Sequence, residues 1–144
     1  MKHALMLSVA LAASAAACAQ DRGAALFAQH CAVCHQEKGE GVPGFAPRLA
    51  GTLVERSKTE AGRSYLAQLI VSGMMGPIIS GGEKFNGAMP GFPTLADEDI
   101  VAVLGHALVA LNSIPTEGSV TLPEVATARG RVMSPSEVRR LRER

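Results

Sequence analysis

Apolar residues recur at helical spacing in three stretches of this chain, and the segments between them are dominated by glycine and proline. From about Asp21 to Cys34, Ala24, Phe27, Ala28 and Cys31 fall on one face, with Asp21 near the positive end of the predicted helix. From about Glu60 to Ser72 the stripe is Leu66, Leu69 and Ile70, and Gly73 supplies the stop. A third helix is predicted from about Ala96 to Leu111: Asp97, Glu98 and Asp99 sit at its positive end, and Ile100, Val103, Leu104, Ala107 and Leu111 form its buried face. Gly39–Gly51 reads as a loop wrapped around another body. Met74–Pro93, with five glycines and three prolines, is predicted to be irregular, and long loops of this kind in a compact domain usually carry function.

Two short units follow, each announced by a capping box, Thr121-Leu122-Pro123-Glu124 and Ser134-Pro135-Ser136-Glu137, with Pro in the first turn where its missing donor is harmless. Their apolar residues Leu122, Val125, Val132, Val138 and Leu141 are too few for an independent core, so this tail must dock on the rest or fray. The pattern is all-α, with one main domain over residues 20–114 and a helical extension over residues 115–144.

The first residues belong to neither. Lys2 and His3 precede an apolar run, Ala4 to Ala17, that is too short to span a bilayer and ends in small residues, which predicts a secretory signal peptide over residues 1–19. Cleavage after Ala19 removes Cys18. Cleavage before Cys18 is the alternative and leaves an N-terminal cysteine for a lipid anchor, although Ala15 stands where lipoproteins usually have Leu. Export to the periplasm is the expectation, in an oxidising compartment.

Composition sharpens this in two ways. Nearly half the residues are apolar, yet there are only one Tyr, four Phe and no Trp, so aromatic side chains contribute little buried area and a large planar apolar body from elsewhere would complete the core. Once Lys2 leaves with the signal, the 14 basic side chains fall to 13 against 13 acidic ones, a balance that does not suggest nucleic-acid binding. Charge is segregated, however: six arginines lie from Arg129 onward against Glu137 and Glu143, giving either a solvated face or a basic foot for a partner or an anionic membrane.

The decisive chemistry is Cys31-Ala32-Val33-Cys34-His35. Two thiols three residues apart followed at once by an imidazole are what covalent c-type haem attachment uses. On one helical turn the thiols reach the two vinyl groups of one porphyrin edge, while His35 projects toward the iron as the proximal ligand. A thioredoxin-like disulfide would need a strand before the pair and a βαβ unit after it, and neither is present. A zinc cage lacks ligands, since after His35 the only histidine is His106 and no cysteine follows Cys34. One haem c, bound through Cys31 and Cys34, is the predicted cofactor.

An electron-transfer haem needs a sixth ligand, and the candidates are Met74, Met75 and Met89. Met89 is preferred. In Asn86-Gly87-Ala88-Met89-Pro90-Gly91-Phe92, Pro90 disfavours helix at Met89, and Gly87 and Gly91 let the chain pass close to a porphyrin. Met74 and Met75 are placed at a helix end beside Ile78 and Ile79, where methionine serves as core filler.

With these blocks in place the chain resembles a class I cytochrome c from about Gly23 to Leu111. Gly23, Phe27 and the attachment motif stand at the family's intervals. Pro47-Arg48-Leu49-Ala50-Gly51 follows the histidine as in the family, and Met89-Pro90-Gly91-Phe92 precedes Leu95-Ala96-Asp97-Glu98-Asp99-Ile100. The resemblance implies a cytochrome c-like fold whose N- and C-terminal helices cross, Gly23 and Phe27 meeting Val103 and His106, with His106 where the family has Tyr. It also implies that the Pro47 carbonyl accepts the Nδ1 proton of His35. A narrower likeness, carried by Gly76 to Pro90 and by Val125-Ala126-Thr127-Ala128-Arg129, is to cytochrome subunits of bacterial periplasmic or membrane-bound dehydrogenases. Those relatives often have Trp-Gly-Asn after the last helix, of which Leu111-Asn112-Ser113 keeps only Asn. Tyr65, Arg48 and Asn86 are candidates for haem-propionate or ligand-loop contacts.

The function these features imply is one-electron transfer on a His35- and Met89-ligated haem, to or from a redox partner protein such as a dehydrogenase or terminal oxidoreductase, with no catalytic residue of its own. The partner would dock on a weakly polar patch where Ala88, Pro90, Phe92 and Pro93 predominate. The alternative is a haem enzyme of peroxidase type with a displaceable Met89, which would need a His and Arg pair beside Met89 to handle peroxide.

Overall fold

Residues 21–30 form helix α1, and after a single turn residue, Cys31, the chain resumes as α2 (Ala32–His35). The computed structural model describes residues 21–143, so the expectations for a signal peptide and for Cys18 fall outside the described residues. Gln36, at φ 62°, breaks the helix directly after His35 and throws the chain into the glycine-rich loop. That loop is closed on itself: the Gly41 amide donates to the His35 carbonyl at 2.9 Å, and the Leu49 and Ala50 amides both donate to the Gly39 carbonyl, at 2.8 and 3.0 Å.

A one-turn helix α3 (Val54–Ser57) leads into α4 (Glu60–Ser72), capped by the Thr59 hydroxyl, which accepts from the Gly62 amide, and ended at Gly73 with φ 74°. The next segment corrects the sequence expectation. Met74–Pro93 is not an irregular loop but mostly an antiparallel hairpin, β1 (Met74–Ser80) paired with β2 (Glu83–Met89) through a Gly81-Gly82 turn. Two consecutive residues at φ 58° and 81° give the turn the twist that a two-residue hairpin needs, and only glycine adopts this freely. Met74, Gly76, Ile78 and Ser80 alternate inward, so the chain is mainly helical rather than wholly so.

Helix α5 (Asp97–Gly105) passes into a π turn over His106–Ala110. Asn112 accounts for the irregular end. Its buried amide donates to the carbonyls of Ala107 and Leu49, at 2.8 and 3.1 Å, while its carbonyl accepts from the Leu53 amide at 2.9 Å. Helix α6 (Leu122–Gly130) and helix α7 (Pro135–Leu141) begin at the two capping boxes, both formed. Val125, Ala128 and Val138 are buried in one cluster with Leu66, Ala67 and Ile70 of α4 and Ile100 and Leu104 of α5, so the extension shares the main core. Its arginines are largely engaged within the molecule: Arg129 meets Asp97, Arg139 meets Glu143, and Arg142 donates to the Ile79 carbonyl. Among the described residues no helix is long and apolar enough to cross a membrane.

Helix α1 lies against α5. A methyl group on Gly23 would run into the Ala102 carbonyl, and the buried Phe27 ring lies 5.2 Å from the His106 ring, tilted by 46°.

Candidate functional site

The helical turn at Cys31–His35, the Gly39–Gly51 loop, α4 and the β1–β2 hairpin enclose a cavity of about 620 Å³. Cys31, Cys34 and His35 line it, as do Pro47, Met74 and Met89. Its size falls within the roughly 300–1,000 Å³ of small-molecule and cofactor pockets, and its apolar walls include Phe27, Leu66, Leu69, Ile70, Val103 and Leu104. A large planar apolar group carrying one polar edge is what such a cavity accommodates.

His35 is almost fully buried, and its Nδ1 donates to the Pro47 carbonyl at 2.8 Å. A carbonyl only accepts, so this bond fixes the proton on Nδ1 and leaves Nε2 with a free lone pair. Burial lowers the His35 pKa below its ordinary value, partly offset by that bond, so the ring is held as the neutral imidazole that ligates metals. Burial, and then repulsion from Cys34, pushes the Cys31 thiol up to about 11. A redox-active Cys-x-x-Cys pair needs the opposite, a lowered thiol, and the burial of Cys31 works against that. Among the described residues no three His, Cys, Asp or Glu gather as a metal cage.

The three methionines separate clearly. Met75 is half exposed and points away from the cavity wall formed by its neighbours. Met74 and Met89 are cross-strand partners at the base of the hairpin. Met74 is buried in the core cluster, and its sulfur takes the Tyr65 hydroxyl at 3.5 Å, whereas Met89 is only partly buried and its sulfur has no such donor among the described residues. Tyr65, a propionate candidate from the sequence, thus spends its hydroxyl on Met74. Arg48 is exposed and donates to the Ala50 carbonyl, and Asn86 is exposed at the cavity rim.

Two residues escape a reading of the sequence. Arg56 of α3 and Arg142 of the extension both line the cavity, and the Arg56 Nη2 donates to the Arg142 carbonyl at 3.1 Å. Neither has a carboxylate partner among the described residues, and the Arg56 guanidinium lies 4.7 Å over the Tyr65 ring. Burial, then repulsion from Arg142, lowers the Arg56 pKa. Two half-buried cations without a counter-ion among the described residues make one edge of the cavity suited to carboxylates. No local signal could have found them, since the pair forms across 86 positions of sequence.

His106, against Phe27, has its pKa lowered from the ordinary 6.5 by burial, so the folded chain favours the neutral ring. The unfolded chain then binds more protons between the folded value and about pH 6.5. The resulting contribution to stability is complete above pH 6.5 and is lost as the pH falls through the folded value. Urea unfolding should therefore show a His106→Tyr variant gaining on the native protein below pH 6.5, with no pH-dependent difference between pH 7 and 9; a difference constant down to pH 5 would contradict this.

The chain is similar to a cytochrome c-552 of Thermus thermophilus, 39% identical over 141 residues that cover 96% of this chain and 93% of the relative. A second cytochrome c-552 from Thermus thermophilus is 39% identical over 122 residues, covering 83% of this chain and 92% of the relative. A sequence model of the cytochrome c family matches residues 20–106, the span that holds Cys31, Cys34, His35, Pro47 and Met89. By its sequence and by the cavity built around its attachment motif, this chain belongs to the cytochrome c family.

Proposed function

We propose that this protein is an exported one-electron carrier whose iron is ligated by His35 and Met89. The family carries one covalently attached haem c, and Cys31 and Cys34 supply the thiols for it. The observation that carries the reading is the convergence on one cavity of both thiols, a neutral imidazole with its Nε2 free, and a methionine sulfur without a donor among the described residues. The bound haem supplies reversible one-electron chemistry. Pro47 orients His35 and raises its basicity, Met89 sulfur favours the reduced iron, and the close approach of Gly23 to Ala102 lets α1 cross α5 beneath the attachment turn. Residues 20–114 are the haem domain and residues 115–144 an extension docked on it. The leader over residues 1–19 sends the chain to the periplasm, with the Cys18 lipid anchor as the alternative form.

Arg56 and Arg142 hold the propionates. Their positive charge favours the reduced iron, so replacing Arg142 by Gln should lower the reduction potential by on the order of tens of millivolts, as read by redox titration. An unchanged potential would remove the assignment.

The partner is a redox protein that docks on the exposed surface around Ala88, Pro90 and Pro93, extended by Phe45, which is 67% exposed at the cavity mouth. A dehydrogenase or terminal oxidoreductase fits this role. The deciding experiment combines spectroscopy with capture from periplasm and membranes. The holoprotein should be six-coordinate, cycle reversibly, resist carbon monoxide and peroxide, and exchange electrons with a co-purifying oxidoreductase at a rate nearly independent of salt. Peroxide turnover would replace the carrier with an enzyme, and a steep salt dependence would replace the apolar patch with electrostatic docking.

A further inference from the structure

The segment that carries Met89 has little regular structure of its own after β2. Between Pro90 and Ala96 the backbone is neither helix nor strand. On its inner side the Phe92 amide donates to the Ile70 carbonyl at 2.7 Å, and Gly73 and Gly91 let the two chains touch. On its outer side stands the side chain of Arg129. From the last turn of α6 it donates Nε to the Asp97 carboxylate at 2.7 Å, Nη1 to the Pro93 carbonyl at 2.6 Å and Nη2 to the Leu95 carbonyl at 2.6 Å. All three guanidinium nitrogens are used on acceptors four to eight residues beyond Met89.

Charge-assisted bonds of this kind are about twice as strong as neutral ones, and the planar fork meets its three acceptors in one fixed orientation. The Arg129–Asp97 pair is about one-third exposed, so it keeps part of its strength against solvent. The extension also touches the hairpin that leads into the segment. Arg142 donates to the Ile79 carbonyl of β1 at 3.1 Å, and β1 is the strand whose Met74 pairs with Met89.

We propose that Arg129 is a positioning residue for the sixth iron ligand: by fixing Pro93, Leu95 and Asp97 it holds the Met89 sulfur in place, and the C-terminal extension thereby sets how often the sixth position opens. This deepens the proposed function and rests on Met89 being that ligand. No side chain of the extension needs to touch the haem for the effect. An opened sixth position is read as entry of a small external ligand, independent of electron transfer to any partner.

The test is imidazole binding to the ferric holoprotein, followed by stopped flow, in four variants. Arg129→Gln should bind imidazole roughly tenfold faster than the native protein, the factor that goes with losing a charge-assisted hydrogen bond, while keeping a weakened sulfur-to-iron absorption band. Arg129→Lys, which retains one positive donor and guards against a variant that fails to fold, should fall between. Arg63→Gln is the control for general loosening: it breaks the Arg63–Glu124 pair, 2.9 Å, which ties the same helix α6 to α4 without touching the Met89 segment. It should lower the unfolding temperature and leave imidazole entry within about twofold of native, a factor too small to represent a lost charged bond. Native-like entry in both Arg129 variants, or equal acceleration by Arg63→Gln, overturns the proposal. Met89→Ala separates the two failures: if it keeps the sulfur band, the ligand assignment has failed, and if it loses the band while Arg129→Gln behaves as native, only the role of Arg129 has.

Discussion

Replacing Met89 by Ala should abolish the long-wavelength sulfur-to-iron band of the oxidised holoprotein and lower its reduction potential by roughly 0.2–0.4 V, a large part of the roughly 0.8 V over which axial ligands set haem potentials. Thioether sulfur is soft and stabilises ferrous over ferric iron, and the described residues hold no ready substitute for it. Met74, the cross-strand neighbour, is bound by the Tyr65 hydroxyl and packed in the core. Met75 is half exposed on the opposite face of the strand. Either could serve only after the hairpin base rearranged, so the open position should instead take up external ligands. Absorption spectroscopy and redox titration of Met89→Ala decide the matter, with Met74→Leu as the companion variant that should keep both band and potential. An intact band in Met89→Ala would move the ligand elsewhere.

The second large effect is on folding. Gly23→Ala should destabilise the holoprotein by roughly 2–3 kcal/mol, and Gly23→Val by more, because the added carbon would clash with the Ala102 carbonyl oxygen. The overlap is with backbone, which cannot swing aside as a side chain does. Relief requires α1 to back away from α5, which also loosens Phe27 from His106. Denaturant unfolding of the haem-loaded variants measures this, and a loss below about 0.5 kcal/mol, the scale of a neutral surface change, would show that the two helices do not meet so closely. A Gly105→Ala variant is the natural comparison, since a methyl there would meet only the Ser119 hydroxyl at 3.8 Å.

Met89 and Gly23 both stand out in the sequence, where local patterns resolve much of the fold. The stripe over Glu60–Ser72 and the stop at Gly73 coincide with α4, and both capping boxes begin helices, because these signals are satisfied within a few residues. The spacing from His35 to Pro47 ends in an actual hydrogen bond. A count of glycines and prolines in Met74–Pro93 hides the hairpin, because it ignores where they fall. Gly81-Gly82 between two seven-residue runs is a turn signal, and Pro77 is tolerated in a two-stranded ribbon. The π turn at His106–Ala110 answers to Asn112, whose bonds reach back to Leu49 and Leu53, so a helical period alone could not reveal it. The Arg56–Arg142 edge and the grip of Arg129 on the Met89 segment are products of tertiary folding, and composition records only Arg129 and Arg142, as surplus charge in the tail.

The bond between His35 and residue 47 has a consequence for how this site can drift. Its acceptor is a main-chain oxygen, which every amino acid carries, so exchanging the side chain at position 47 leaves the acceptor in place. What the ring depends on is the path length between the two residues: Gly41 at φ 72° folds back so tightly that a side chain there would strike Ala46, Pro47 and Arg48 backbone. Inserting or deleting one residue between His35 and Pro47 would therefore misplace the oxygen and release the imidazole, while many point substitutions in the same stretch would pass unnoticed.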